Sequence, residues 1–457
     1  MMKQGDIFRV KIDNLNGEGE GVARIGEEGL VLFVPGALAG EEAEVRLVTK
    51  KKNYGVAKVV RRFGDSPHRV KPRCASFGRC GGCALQHLSY EVQLSLKKKT
   101  LADALTRIGG EREPRVFDCE PSPSEWGYRN KASLPVQSAA GECLRAGFYK
   151  PRSHDIVPYR GCDIVAPEID AKTKEILSAL RGTRLCGVRL NGKSAERETI
   201  REIVVRRACF TGETLLAVIC RRAPSSAELK LLRGALREIE GLSGAVCNIN
   251  GSPGNFIWGE KSVPLFGKET MRERLGKFVF TFEASSFFQV NSEQAAKLYE
   301  YAASLALEDS PREILELYAG VGGMTAFLAA GGAKITAVES WEPAAKYIAR
   351  NAEANGIKKI TPLAARVEEA ASELSKKNYG TVVLDPPRAG CDEKVVAALL
   401  KIAAERIVYV SCNPATLARD IKRLAEGGYE LVHAKPFDMF PQTGHVETIV
   451  LLQRETL

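Results

Sequence analysis

No stretch of this sequence approaches the roughly 18 consecutive apolar residues that a membrane-spanning helix requires, so no such helix is expected. The opening residues, MMKQGDIFRV, hold neither the apolar stretch nor the small-residue cleavage site of a secretory signal, and a cytoplasmic location is the expectation. Internal repeats and low-complexity tracts are missing too, which leaves ordinary folded domains. The 457 residues are 44% hydrophobic and 27% charged, the balance of a globular chain long enough for two or three cores.

Acidic residues are scarce in one region. Between Arg46 and Lys99 fourteen Lys and Arg stand against only Asp65 and Glu91, a local charge of +12 in a chain whose net charge is +10. Lys50-Lys51-Lys52, Arg61-Arg62, Arg69-x-Lys71-x-Arg73 and Lys97-Lys98-Lys99 lie within it. Any one of these could be a solvated face. Four together point to a surface that tracks phosphates, and so to a nucleic-acid partner.

Twelve cysteines would suggest disulfides in an exported protein, but nothing indicates export. Cys119, Cys143, Cys186, Cys209, Cys220, Cys247, Cys391 and Cys412 are scattered singly, and most such residues are small buried hydrophobes. The other four form a constellation: Cys74-x5-Cys80-x2-Cys83, with Cys162 downstream in Arg160-Gly161-Cys162. Gly81-Gly82 would let the backbone curl around a metal centre. On spacing alone, a structural zinc and an iron–sulfur cluster both fit.

Three domains are expected: a β-barrel over 1–62, a central α+β domain over 63–285, and a doubly wound α/β domain over 286–457. In the first, IFRVKI, GLVLFVPG, AEVRLV and YGVAKVVRR read as short strands separated by glycine-rich turns. Residues 89–108 read as a basic amphipathic helix ending at Gly109-Gly110, free to pack on the C-terminal domain. In the central domain REIVVRRA and ETLLAVICRR read as successive strands and 225–239 as a helix. Beyond 286, EILELY, KITAVE, KITPLA, TVVLD, RIVYVSC, YELVHA and VETIVLL alternate with helices, as in a mostly parallel sheet.

Suggestive residues gather at the strand ends, where such sheets bind ligands. The first strand runs into Tyr318-Ala319-Gly320-Val321-Gly322-Gly323, a turn that lets the backbone approach a ligand closely. Glu339 ends the second strand about twenty residues on, where a carboxylate can accept from both hydroxyls of a ribose. Dehydrogenases and methyltransferases share those two features. The fourth strand separates them better, because Asp385-Pro386-Pro387-Arg388 makes a rigid, donor-poor corner suited to positioning a base. The fifth delivers Cys412, followed by Asn413-Pro414, to the same edge as a candidate nucleophile. Should the last strand run antiparallel, Glu447 at its start would reach that edge as a candidate base.

Taken together, Phe288-Gln289-Val290-Asn291, Leu317-Tyr318-x-Gly320-x-Gly322, Asp385-Pro386-Pro387-Arg388-x-Gly390, Ser411-Cys412-Asn413-Pro414 and His445-Val446-Glu447-Thr448 resemble the RNA 5-methyluridine methyltransferase family. The 23S rRNA (uracil-5-)-methyltransferases are the nearest branch, and the motifs cover the C-terminal 170 residues in the family's order. The resemblance implies transfer of a methyl group from S-adenosyl-L-methionine to carbon 5 of a uridine, through a covalent bond between Cys412 and carbon 6. It implies that Cys412 and Glu447 are catalytic and that Gln289, Tyr318, Gly320, Glu339 and Asp385 bind the cofactor. Phe288 would either help hold a nucleotide or sit in the core.

The N-terminal barrel is similar to a TRAM domain, an OB-type RNA-binding module, on GEGEGVARIG followed by GLVLFVPGALAGEEAEVRL. Cys74, Cys80, Cys83 and Cys162 are similar to the family's [4Fe-4S] site. An RNA substrate, ribosomal ahead of transfer RNA, and a monomeric state are the corresponding expectations. Four positions depart from the family pattern: Glu316 replaces the usual Asp, Ala319 a frequent Cys or Ser, Gly323 a frequent Asn, and Arg366 stands near a small polar position.

Three rivals are weaker. A radical enzyme would carry a tight Cys-x3-Cys-x2-Cys loop, which is missing. A non-catalytic RNA-binding iron–sulfur protein would not need Cys412, Asp385 and Glu447 intact. An RNA cytosine-5 methyltransferase would place its cysteines differently.

Overall fold

The structure, a computed structural model, describes residues 3–455 apart from 27–28, 140–141, 182, 184, 186–198 and 255. Cys186 lies outside the described residues, as does the Cys143 side chain.

Alternation builds the N-terminal unit from β1 (Ile7–Lys11), β2 (Asn14–Leu15), β3 (Gly21–Ile25), β4 (Leu30–Val34), β5 (Glu42–Lys50) and β6 (Tyr54–Arg62). They form one sheet in the order β1-β5-β6-β4-β3-β2. Val10, Ala23, Ile25, Leu32, Val34, Val45, Leu47 and Ala57 point to one side and make its core. β1 also comes against β3, so the sheet curls into a half-barrel whose edge strands, β1 and β2, do not pair with each other. β2, two residues long, is too short for alternation to reveal in sequence.

Next come α1 (Tyr90–Ala104) and a π-helical turn, Leu105–Gly109, that ends at Gly110 with φ +85°. Here the structure corrects the basic surface. Gln93, Lys97 and Leu101 recur every fourth residue and all face inward. Lys97 is 1% exposed and ion-paired to the fully buried Asp438. Lys98 meets Asp118 at 2.8 Å and Lys99 meets Asp103 at 2.5 Å, so this triplet is neutralised from within the chain. Arg69 is likewise bound to the buried Glu41. Lys50, Lys51, Lys52, Arg61 and Lys71 remain exposed. Lys97→Met should cost about 3 kcal/mol by stranding the Asp438 carboxylate, read as a lowered urea midpoint; the double variant with Asp438→Leu should recover much of it.

The central unit is a seven-stranded sheet in the order β13-β12-β11-β10-β7-β8-β9. It comprises β7 (Lys131–Ala139), β8 (Glu142–Tyr149), β9 (Ile156–Pro158), β10 (Ile200–Arg207), β11 (Thr214–Cys220), β12 (Gly244–Ile249) and β13 (Lys261–Gly267). α2 (Pro167–Arg181) and α3 (Ser226–Arg237) cover one face. α3 starts with a reciprocal cap between Ser225 and Glu228. A hairpin of β14 (Thr270–Leu275) and β15 (Phe278–Glu283) follows, and its Met271, Leu275, Phe280 and Phe282 enter the core of the C-terminal unit.

That unit alternates α4 (Ser292–Leu307), β16 (Glu313–Leu317), α5 (Gly323–Ala329), β17 (Lys334–Glu339), α6 (Glu342–Ala354), β18 (Ile360–Ala364), α7 (Val367–Leu374), β19 (Thr381–Leu384), α8 (Glu393–Ile402), β20 (Arg406–Ser411), α9 (Pro414–Ala425), β21 (Tyr429–Phe437) and β22 (Glu447–Arg454). The strand order is β18-β17-β16-β19-β20-β22-β21. The first five are parallel, and β22 runs antiparallel to β20 and β21. Apolar cores fill both faces, and α1 and the π-helical turn join one of them through Leu101 and Leu105 against Leu417, Ala418 and Ile421. No helix among the described residues is long and apolar enough to cross a membrane.

Candidate active site

Strand register brings the expected residues to one edge. Leu317 lies beside Val338 and Leu384, so the next residues along, Tyr318, Glu339 and Asp385, leave the sheet side by side. Ser411 pairs with Thr448 in the antiparallel ladder, so the next step sets Cys412 opposite Glu447. The antiparallel course on which the candidacy of Glu447 depended is therefore observed, and it places Glu447 at the same edge as Cys412.

Electrostatics couples these groups. Glu447 is 5% exposed, and burial, reinforced by the Asp385 charge, raises its pKa well above the usual carboxylate value. Burial likewise pushes Asp385 up to about 7. The Cys412 thiol is raised to about 11, first by burial and then by the Glu447 and Asp385 charges, while Arg388 pulls it down. Arg388 also lies 2.9 Å from Nδ1 of His445. Burial, then Arg388, holds that imidazole down at about 4, so it is neutral near pH 7 and Nδ1 can accept from the guanidinium.

A cavity opens beside this edge, lined by Phe287, Glu316, Tyr318, Gly320, Met324 and Asp385, among others. Tyr318 turns into it with φ +62°, a strained backbone for a residue with a side chain, and Gly320 follows at +57°. A Cβ at Gly320 would meet nothing within 4 Å. Glu339 accepts from the Gly320 N–H at 3.0 Å and the Trp341 N–H at 2.7 Å, which fixes the turn and leaves acceptor capacity on the carboxylate. Gln289 is buried behind the cavity lining: its backbone carbonyl accepts from Asn130 at 2.9 Å, and its side chain meets the hydroxyl of Tyr299, which does line the cavity. The enclosed part measures about 30 Å³, and a cleft of about 1030 Å³ that shares Phe287 continues past Phe256, Trp258 and Trp341.

Four further candidates received no role from sequence, although Glu316 and Arg388 were named there. Glu316 is fully buried beside Thr325, and burial outweighs that neighbour and raises it to about 8. Tyr299 stands among Asp385, Glu316 and Glu447 with the Gln289 side chain on its hydroxyl, and burial raises the phenol. It shares a helical stripe with Ala295, Ala302, Ala303 and Ala306, so in sequence it looks like core. Phe287 is 67% exposed at the mouth, whereas Phe288 stacks on Phe282 at 4.3 Å in the core and also lines the cavity, a placement that meets both readings of Phe288. Arg388 was visible in its motif, but nothing in sequence tied it to His445.

All four clustered cysteines line a second cavity, of about 240 Å³, between residues 74–86, β7 and residues 157–165. The Ser76 N–H points at Cys74 Sγ and the Gly82 N–H at Cys80 Sγ, both at 3.4 Å. Burial lifts Cys83 to about 12, and the other three thiols add repulsion. Among the described residues no three His, Cys, Asp or Glu side chains converge closely enough to hold a single metal ion. Of the single cysteines, Cys119, Cys220, Cys247 and Cys391 are buried as expected, and Cys209 is exposed.

The tRNA (Uracil-5-)-methyltransferase family matches residues 265–455, and the TRAM domain matches residues 2–60. A Bacillus cereus protein named as an uncharacterized RNA methyltransferase is 34% identical, with 99% of this chain and 98% of that relative covered. A Halalkalibacterium halodurans protein, also named an uncharacterized RNA methyltransferase, is 35% identical over the same shares of 99% and 98%. Among solved structures, the tRNA (uracil-54, C5)-methyltransferase of Pyrococcus abyssi, in complex with S-adenosyl-L-homocysteine, matches with a TM-score of 0.74 at 31% identity. It covers 97% of this chain and 100% of its own.

Proposed function

This chain belongs to the RNA (uracil-5-)-methyltransferase family, and from that premise we propose that it methylates carbon 5 of a uridine through a covalent adduct on Cys412. The observation that carries the reading is the register that sets Cys412 against Glu447, at the edge where Asp385 and the Tyr318–Gly320 turn also end.

Carbon 5 of uracil is too weak a nucleophile to take a methyl group unaided. The Cys412 thiol loses its proton to solvent at the half-exposed mouth and adds to carbon 6, and the ring becomes an enolate. S-adenosyl-L-methionine supplies an electrophilic methyl group when bound. Glu339 would hold its ribose, Gly320 leaves room beside the backbone, and the buried Glu316 suits its ammonium group. Carbon 5 takes the methyl group as its bond to the sulfonium sulfur breaks, and the donor leaves as S-adenosyl-L-homocysteine. Glu447 then removes the carbon 5 proton, the carbon–sulfur bond breaks, and Cys412 leaves as thiolate. High proton affinity, imposed on Glu447 by burial and by Asp385, is what that step asks of a base. Reaching sulfur requires the uridine to leave its stack. The half-barrel, Lys50, Lys51 and Lys52 would grip the flanking strand, and Phe256, Trp258, Phe287 and Trp341 offer it stacking platforms.

At the second cavity a [4Fe-4S] cluster on Cys74, Cys80, Cys83 and Cys162 fits the donor set. A tetrahedral zinc needs four sulfurs at about 2.3 Å from one point. Thiols spaced around a cavity, with backbone N–H groups directed at two of them, suit a larger inorganic core. Its contribution would be a cross-link between residues 74–83 and the central sheet. Anaerobically purified protein is expected to contain iron and sulfide in equal amounts and to absorb in the visible; a colourless protein with one zinc per chain would overturn this.

For the target we propose 23S ribosomal RNA. Transfer RNA is the second reading, favoured by one observation: a solved structure covering 97% of this chain, half-barrel included, is named for a tRNA uridine. Mapping 5-methyluridine in a deletion strain separates them. Loss from ribosomal RNA alone supports the first, and loss from transfer RNA alone supports the second.

A further inference from the structure

Glu447 begins β22, and the chain reaches it through residues 438–446, a loop that the rest of the molecule holds unusually tightly. Gln442, inside that loop, has φ +69°, a left-handed backbone that persists in a non-glycine residue only where its surroundings impose it. Four hydrogen bonds do so. Its carbonyl accepts from the N–H groups of Ala84 and Leu85, each at 3.0 Å. Its own N–H donates to Oε1 of Gln93 at 3.0 Å, and its Oε1 accepts from Nε2 of Gln93 at 3.0 Å. Gln93 is 1% exposed and also donates to the carbonyls of Leu88 at 2.8 Å and Leu85 at 3.2 Å. The Tyr128 hydroxyl donates to the Pro441 carbonyl at 3.1 Å, and Lys97 donates to that of Phe440 at 3.0 Å.

The partners of Gln442 are what give this arrangement a function. Ala84 directly follows Cys83, and Oε1 of Gln86 accepts from the Cys74 N–H at 3.0 Å. One short segment therefore lines the thiol cavity on one side and clasps the base-bearing loop on the other. None of the chemistry above requires that clasp.

We propose that Gln93 and Gln442 are positioning residues for Glu447, and that through them the order of the cysteine cavity controls the elimination step. The inference rests on Glu447 being the base. When Cys83 is held, the Ala84 and Leu85 amides fix the Gln442 carbonyl and the loop presents the Glu447 carboxylate. When that end loosens, the nucleophile just after β20 is untouched, but the carbon 5 proton is no longer met by a base. Thiol adduct formation and methyl transfer then continue while release of the product slows.

Single-turnover reactions of the full chain with labelled RNA and S-adenosyl-L-methionine, resolved on denaturing gels, test this. Gln93→Leu keeps side-chain volume and removes both amide contacts to Gln442. It is expected to accumulate a methylated covalent RNA–protein species and to lose at least tenfold in turnover, with iron content and cofactor Kd unchanged. Cys83→Ser, which loosens the other end, should accumulate the same species. Glu447→Gln is the reference. Adduct in Glu447→Gln but not in Gln93→Leu overturns the positioning role, and adduct in Gln93→Leu but not in Cys83→Ser overturns the link to the cysteines. No adduct in Glu447→Gln shows instead that Glu447 is not the base. Should Gln93→Leu fail to fold, Gln442→Ala removes only the side-chain half of the clasp and decides the positioning role by the same readout.

Discussion

Cys412→Ala should abolish methylation, by about 10⁴-fold or more, because without the thiol carbon 5 has no route to become nucleophilic. The measurement is tritium release from RNA labelled at carbon 5 of uridine, with and without S-adenosyl-L-methionine. Wild type should release tritium only with cofactor, and the variant should release none. Equal release by both would remove Cys412 from the mechanism. pH provides an independent check. Burial and the Glu447 and Asp385 charges hold the thiol near 11, so thiolate is the minor form at neutral pH. Adduct formation should then rise roughly tenfold per pH unit between about pH 6 and 9, as the thiolate fraction does. Arg388 is a neighbouring charge that favours the thiolate, so Arg388→Met should move this profile to higher pH. An unchanged profile would remove Arg388 from control of the thiol.

The C-terminal unit was legible because its chemistry sits at strand ends, and a doubly wound sheet sends all its parallel strands to one edge. Knowing that Glu339, Asp385 and Cys412 each follow an apolar run was enough to bring them together. Glu447 needed one more fact, the direction of the last strand, which the sequence could offer only as a condition. Residues whose role depends on packing between units were not legible. Lys97 looks like part of a basic triplet, and only the helical stripe it shares with Gln93 and Leu101 sends it inward to Asp438. Tyr299 hides among alanines on an apolar face. Gln93 and Gln442 lie 349 positions apart, and no local pattern announces a hydrogen bond over that separation. The four cysteines are the intermediate case: their spacing indicated a shared site, and the fold set them around one cavity.

Glu447→Gln should divide the reaction at its midpoint. The amide cannot take the carbon 5 proton, so turnover should fall by about 10²–10⁴-fold, the usual contribution of a positioned base. Adduct formation should be no slower than in wild type. The Glu447 charge raises the Cys412 thiol, and a neutral side chain of the same shape removes that effect. Methyl transfer precedes proton removal, so what accumulates is Cys412 bound to carbon 6 of a ring that already carries the methyl group and still holds its carbon 5 proton. That species has lost the conjugation that would drive sulfur out, and it should survive denaturation as one RNA per protein, labelled by the cofactor's methyl group. Cys412→Ala on the same background should abolish it, which separates a true adduct from tight binding. Full turnover by Glu447→Gln would move the base elsewhere. Asp385, raised to about 7 by burial at the same edge, would then be the next group to replace.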